Sequence, residues 1–244
     1  MGLNNWGPNN FNKNKSQART VEHRAVHSAS ESIGVLKSNT VLRNTYLLLS
    51  LTLIFSAITA GLSMVYSVGQ LNPILFLVVY FGLFFAIAKT KNSPMGLVFT
   101  FALTGFLGWT IGPILNMYIA TFQNGSQLIM MALGGTGSIF LILSALALNP
   151  KRNLANWGSF LMVGVVIAII AVVLNLFLQL TALQLAISVV FFFLSAGIIM
   201  WQTNMIVHGG ETNYIMATVT LYVSIFNIFL ILLQFLGMSS GNRN

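Results

Sequence analysis

The sequence predicts an all-α membrane protein, with seven transmembrane helices in one compact bundle behind a disordered polar tail. Hydrophobic residues make up 56% of the 244 residues and charged residues only 6%, where a soluble domain carries about 25% charged residues. Seven apolar runs follow residue 43, and each can cross a hydrocarbon core of about 30 Å as a helix. The links between them span only four to eight residues, so neighbouring helices must run antiparallel.

The chain begins with a polar tail, residues 1–43. Its first fourteen residues include six asparagines together with Gly7 and Pro8. Such a composition buries little apolar surface, so we expect the tail to be mostly disordered. A random chain of this length spans about 35–40 Å.

The transmembrane domain follows as residues 44–237, and residues 238–244 form a short C-terminal tail. The third run contains Gly112-Pro113, where we expect a kink or a tilted end. The predicted spans are 45–66, 72–88, 95–121, 127–148, 157–178, 183–206 and 212–236.

The basic residues predict how the bundle is oriented. Ten of the eleven Lys and Arg residues fall on one side of the predicted membrane, and only Arg243 falls on the other. The positive-inside rule therefore predicts a cytoplasmic N-terminus and a periplasmic C-terminus. Because orientation explains the positive net charge, we expect the bilayer as a partner and no nucleic acid. The ten residues are Lys13, Lys15, Arg19, Arg24, Lys37, Arg43, Lys89, Lys91, Lys151 and Arg152.

The composition also excludes several chemistries. The chain has no Cys and no Asp, and its only carboxylates are Glu22, Glu31 and Glu211. A thiolate site and a Ser-His-Asp triad are therefore excluded. We predict no enzyme activity, no catalytic or metal-binding residue and no cofactor. The polar residues within the spans are neutral, and interhelical hydrogen bonds are the simplest role for them.

Glycines cluster in the third span as Gly105, Gly108 and Gly112, and in the fourth as Gly134, Gly135 and Gly137. Small residues let membrane helices approach closely. Whether these faces pack within one molecule or between two stays open, and so does the oligomeric state.

The ionisable cluster nearest the spans is His208-Gly209-Gly210-Glu211, in the sixth link. In one interpretation, His208 closes the sixth helix, the glycines form the turn and Glu211 precedes the seventh helix, with Thr212 or Asn213 as its cap. In the other, the four residues form a regulatory or docking site.

Several long motifs resemble the YccA-type members of the Bax inhibitor (transmembrane Bax-inhibitor-motif) family. They cover about residues 37–244. The motifs are VLRNTY followed by LLLSLTLIFSAITA at 41–60, TGFLGWTIGPILNMY at 104–118, MALGGT at 131–136, LNLFLQLTALQLAIS at 174–188 and HGGETNYIMATVTLYVSIFNIF at 208–229.

The resemblance implies an inner-membrane protein whose seventh helix lies in the middle of the other six. It also implies a partner, the membrane-anchored ATP-dependent protease FtsH, alone or with HflK–HflC. Such a protein restrains the degradation of other membrane proteins and is itself degraded slowly, with its N-terminal tail as the segment that the protease grips.

A second function in the same family is a pH-gated calcium leak, in which two buried aspartates form the gate. The matching positions here are Gln202 and Ser224. A Gln–Ser pair could still form a hydrogen bond between helices, but it cannot titrate or attract Ca²⁺ by charge. The leak is therefore the less favoured alternative.

Overall fold

The computed structural model describes residues 40–66, 69–149 and 153–241, and all regular structure in these ranges is helical. The seven helices are each long and apolar enough to cross a membrane. The predicted fold class is therefore confirmed for the described residues, while most of the predicted tail, residues 1–39, lies outside them. The helices are α1 (Thr40–Val65), α2 (Pro73–Thr90), α3 (Pro94–Thr121), α4 (Gly125–Ala147), α5 (Trp157–Leu178), α6 (Thr181–Val207) and α7 (Tyr214–Gly241).

Helices α1 and α7 extend furthest beyond their predicted spans, by five residues each, because tertiary contacts hold their ends. Helix α1 begins at Thr40 rather than at residue 45, and its first turn buries Val41 in a small cluster with residues of α6 and α7. Helix α7 continues to Gly241 rather than to residue 236. In its last turn the Ser240 hydroxyl donates a hydrogen bond to Asn124 Oδ1 at 3.0 Å. Hydropathy alone misses both extensions because they depend on partners distant in sequence.

Helix α3 runs from Pro94 to Thr121 through Gly112-Pro113. Pro113 removes one backbone donor from the helix, but the helical structure is not interrupted there. The kink or tilted end expected at Gly112-Pro113 therefore does not end the helix.

Helix α7 lies at the centre of the bundle. It packs against α2, α3, α4 and α6. A hydrogen bond from Thr218 to the Thr45 carbonyl and one between Tyr222 and Ser56 connect it to α1. In its most apolar window 61% of the residues are buried, against 11% in α5, although α5 is the more hydrophobic helix. Position in the bundle, and not hydropathy, decides this difference, and the central seventh helix is confirmed.

The glycines of α3 pack against α1 in the same molecule. A Cβ added at Gly108 would collide with the Ser56 carbonyl oxygen and Thr59 Oγ1, and one at Gly112 would lie 2.6 Å from Ser63 Cβ. The absence of side chains therefore allows the two backbones to approach closely. The glycine cluster of the third span therefore packs within one molecule.

The glycine cluster of the fourth span, in α4, makes few contacts with other helices. A Cβ added at Gly134 or Gly137 would meet no atom within 4 Å, and one at Gly135 would touch only Leu232 Cδ1 at 3.2 Å. Most of this cluster is therefore not needed for packing within the described part of the molecule.

Alternation of the helices defines two ends of the bundle. The start of α1 and the α2–α3, α4–α5 and α6–α7 links lie at one end, named here the basic end. The α1–α2, α3–α4 and α5–α6 links and the end of α7 lie at the opposite end. Hydrogen bonds between links follow the same division, since Asn213 contacts Lys91 and Ser240 contacts Asn124.

Candidate functional site at the basic end

The α6–α7 turn closes helix α6 with a Schellman motif. The Gly209 amide donates to the Ile206 carbonyl at 3.1 Å, and the Gly210 amide donates to the Met205 carbonyl at 2.8 Å. Gly209 has a φ of +72°, a left-handed conformation that glycine adopts without steric cost. His208 is the C-cap residue, and its Nδ1 lies 2.9 Å from the Asn204 carbonyl oxygen.

The same turn also starts helix α7. Asn213 Oδ1 accepts a hydrogen bond from the Met216 amide at 2.9 Å, as an N-cap residue does. Glu211 Oε1 accepts from the Asn213 amide at 2.7 Å, which places a carboxylate near the positive end of the helix dipole. The capping interpretation of residues 208–211 is confirmed, with Asn213 as the cap, while a docking role stays a prediction.

Asn213 has a second contact that connects two links. Its Nδ2 donates to the Lys91 carbonyl oxygen and to Asn92 Oδ1, both at 2.9 Å. The α6–α7 turn is thus bonded to the α2–α3 turn. The sequence predicts only the capping role, because a contact across about 120 residues has no local signal.

Asn204 fixes the third link of the basic end. This fully buried residue of α6 donates through Nδ2 to the Ala147 carbonyl at 3.1 Å, at the end of α4. Its Oδ1 accepts from the Leu154 amide at 2.9 Å, just before α5. One carboxamide therefore satisfies two backbone groups from the α4–α5 segment. The sequence shows an amide in an apolar span, but not which groups it bonds.

These contacts produce a connected surface with exposed basic side chains. Arg43, Lys89, Lys91 and His208 are exposed, and Glu211 is half-buried beside them. Within the described residues, no group of three His, Cys, Asp or Glu side chains could hold a metal ion. The surface is therefore suited to contact with a charged or polar partner.

Gln202 and Ser224 are both buried, with 2% and 3% of their surface exposed. They do not bond to each other. The Ser224 hydroxyl donates to the Thr220 carbonyl of its own helix at 2.9 Å, and Gln202 Nε2 has no acceptor among the described residues. A serine hydroxyl readily bonds the carbonyl four residues back in a helix, which explains why the interhelical bond is not formed.

Tyr222 is a buried polar residue that was not among the candidates predicted from the sequence. Its Oη lies 2.6 Å from Ser56 Oγ and donates to the Thr104 carbonyl at 3.2 Å. One phenol thus connects α1, α3 and α7. A tyrosine within an apolar span needs a partner for its hydroxyl, and that rule could have identified it.

Comparison with known proteins gives a consistent set of relatives. The family model described as "Inhibitor of apoptosis-promoting Bax1" matches residues 38–241. "Modulator of FtsH protease YccA" of Escherichia coli (strain K12) is 50% identical over 217 residues, which cover 89% of this chain and 98% of that protein. An uncharacterized protein of Pseudomonas aeruginosa is 46% identical, covering 83% of this chain and 90% of that protein. An uncharacterized membrane protein of Vibrio cholerae is 42% identical, covering 85% and 93%.

The fold and its neutral interior define a multi-pass helical membrane protein. The family and the name of the E. coli relative indicate a regulatory membrane protein rather than a protease. The chain belongs to the Bax inhibitor family, because the family model covers all seven helices. The family resemblance inferred from the motifs is thereby confirmed.

Proposed function

We propose that this protein is an inner-membrane modulator of the FtsH protease. The observation that carries the proposal is the 50% identity to the E. coli modulator over 98% of that protein's length. Identity this extensive involves the whole bundle and not one motif. We further propose that FtsH acts together with HflK–HflC as the partner.

The proposed orientation has the basic end in the cytoplasm and the C-terminus in the periplasm. The exposed Lys89 lies in the last turn of α2, and the exposed Lys91 follows it in the α2–α3 link, which Asn213 bonds to the α6–α7 turn. Basic residues near span ends favour the cytoplasmic side. In this orientation the N-terminal tail, His208 and Glu211 all face the same compartment as the protease.

The proposed mechanism is competition by a substrate that is hard to extract. A protease that grips the tail pulls first on α1, because α1 follows the tail directly. Two hydrogen bonds at different positions along α1 connect it to the central helix α7. Thr218 Oγ1 donates to the Thr45 carbonyl at 3.2 Å, and the Ser56 and Tyr222 hydroxyls bond to each other. The close approach of α1 to Gly108 adds packing contacts. Removing α1 must break all of these, so the enzyme would stay occupied.

A pulse-chase measurement with tail variants tests this mechanism. Deletion of residues 1–36 should slow degradation of this protein by FtsH at least fivefold and should release the restraint on another FtsH substrate. As a matched control, a Gly/Ser segment of equal length in place of residues 1–36 should restore degradation, because a grip needs only an unstructured chain. Unchanged turnover after the deletion would contradict the tail mechanism.

Site-specific photo-crosslinking tests the binding itself. A photoreactive residue at the exposed His208 should crosslink FtsH or HflK–HflC in native membranes, because the proposed docking surface includes this turn. The matched control is the exposed Gln70 at the opposite end, which should give no such product. If affinity purification after crosslinking recovers the protein alone, the modulator proposal is wrong.

A further inference from the structure

Two exposed lysines lie at the basic end, where α2 leaves the membrane. Lys89 is in the last turn of α2 and Lys91 is its C-cap residue. Helix α2 has 18 residues, so it is about 27 Å long, close to the thickness of a hydrocarbon core of about 30 Å. The ends of α2 therefore fall at the two edges of the core, and the lysine ammonium groups reach the level of the lipid phosphates.

The charges of these lysines are not neutralised by the protein around them. Glu211 is the only carboxylate side chain among the described residues, and its Oε1 accepts a hydrogen bond from the Asn213 amide. No ion pair joins it to Lys89 or to Lys91. Two positive charges thus stand close together at the membrane surface, which favours an anionic partner.

The turn that carries both lysines is held in place. Asn213 Nδ2 donates to the Lys91 carbonyl oxygen, and the Ser93 amide donates to the Thr90 carbonyl oxygen, both at 2.9 Å. A Cβ added at Gly96 would lie 2.6 Å from the same Thr90 oxygen, so the start of α3 packs tightly against this turn. Only the lysine side chains need to be ordered when a partner binds, which keeps the entropic cost of binding low.

Below Lys89, the exposed surface of α2 is apolar. Helix α2 packs on α3 and α7 but not on α4, α5 or α6, and only 6% of its most apolar window is buried. Its exposed residues recur every three or four positions, so they form one face of the helix, named here the α2 stripe. A Cβ added at Gly82 would meet no atom within 4 Å, so Gly82 leaves a gap in this face. The stripe consists of Ile74, Leu75, Val78, Gly82, Phe85 and Lys89.

The arrangement of charge and apolar surface selects the partner. The stripe needs apolar chains that run along the helix within the hydrocarbon core, and the lysines need an anion at the edge of the core. An anionic phospholipid carries both groups at these two levels. An acidic protein segment at the membrane surface would pair with the lysines but would leave the stripe uncovered.

We propose that Lys89 and Lys91 bind the phosphate of an anionic phospholipid, one acyl chain of which lies along the α2 stripe. In the proposed orientation this lipid belongs to the cytoplasmic leaflet. The inference does not rest on the proposed interaction with the protease, because the lipid alone occupies the site.

Photolabelling of the full protein in vesicles tests this site. The host lipid is phosphatidylcholine, and a small fraction of probe carries a diazirine in one acyl chain and either a phosphatidylglycerol or a phosphatidylcholine headgroup. Labelled peptides are mapped by mass spectrometry. The ratio of phosphatidylglycerol to phosphatidylcholine labelling is compared between two surfaces, because a ratio cancels differences in depth.

This ratio should be at least threefold higher on the α2 stripe than on the exposed Val189, Val190 and Phe193 of α6, a helix without Lys or Arg. Equal ratios on the two surfaces would overturn the proposal and leave the lysines to an acidic protein partner.

Charge variants make the result specific. Lys89→Gln combined with Lys91→Gln should lower phosphatidylglycerol labelling of the α2 stripe at least fivefold, because each lysine near an anionic surface strengthens binding by about fivefold. Phosphatidylcholine labelling and thermal unfolding should not change, and arginine at both positions should keep the labelling. The matched control is Arg43→Gln, which removes an exposed charge from the same end but on α1. An equal loss in this control would assign the attraction to the net charge of the basic end and overturn the site.

Two further arms test whether a whole lipid is recognised. Gly82→Trp fills the gap in the α2 stripe and should reduce its phosphatidylglycerol labelling at least threefold. Gly61→Trp should not, although Gly61 of α1 is equally open. Glycerol 3-phosphate, which has the anionic group without the chains, should not displace the probe at the same concentration. Displacement by it, or unchanged labelling of Gly82→Trp, would contradict the proposal.

Discussion

Polar side chains inside this bundle fall into two regions. In one region they form hydrogen bonds to several segments of the protein, and in the other they lack some or all of these partners. In the packed interior, Asn204 and Tyr222 each connect three segments of chain through short bonds. In a cleft between α5, α6 and α7, the Asn227 side chain makes no hydrogen bond with the described residues, and Asn175 uses only its oxygen. The same residue type thus has different surroundings, since an amide buried against backbone groups finds partners in the protein and one that lines a cleft does not.

The two asparagines give the largest expected contrast. Asn204→Leu leaves the Ala147 carbonyl and the Leu154 amide without their partner in a buried site, and should cost about 2–4 kcal/mol of stability. Asn227→Leu is the same chemical change in the cleft and should cost less than about 0.5 kcal/mol. Thermal unfolding in one detergent measures both. Equal losses would show that the two regions do not differ as described.

Glycine substitutions compare a close contact between two helices with a helix surface that touches no other helix. Gly108→Ala introduces a methyl group against the backbone of α1 at Ser56 and should destabilise the bundle by about 1–3 kcal/mol. Gly134→Ala is the control in open space, where alanine should be neutral or stabilising by up to about 1 kcal/mol. The free energy of unfolding of both variants provides the measurement. A destabilising Gly134→Ala would instead indicate an unrecognised contact on α4.

The smallest expected effect concerns the phenol of the packed interior. Tyr222→Phe keeps the ring, which stacks on Phe226 with centroids 6.2 Å apart, but removes the bonds to Ser56 and to the Thr104 carbonyl. We expect a loss of about 1–2 kcal/mol. If α1 is the helix extracted first, pulse-chase should also show faster degradation of this variant. A variant as stable as the parent would mean that the α1–α7 bond contributes little.

Much of the turn at the basic end could be predicted from local sequence. Gly209 and Gly210 after an apolar run indicate a helix end, and Asn213 before the next run indicates a start, because capping chemistry acts within a few residues. The bonds of Asn213 to the α2–α3 turn had no such signal. The interhelical Gln202–Ser224 bond that the sequence allowed is not formed, since the Ser224 hydroxyl has an acceptor in its own helix.

The sequence by itself determined the class of protein, the number of spans and their order, because hydrophobicity and span length are properties of each segment alone. It also determined the family through motifs spread over all seven helices. Only the tertiary structure decided which glycines touch another helix, which amides are bonded and where the cleft opens. Those features depend on atoms brought together from distant segments, so the same asparagine or glycine in an apolar run acquires its role only when its neighbours are in place.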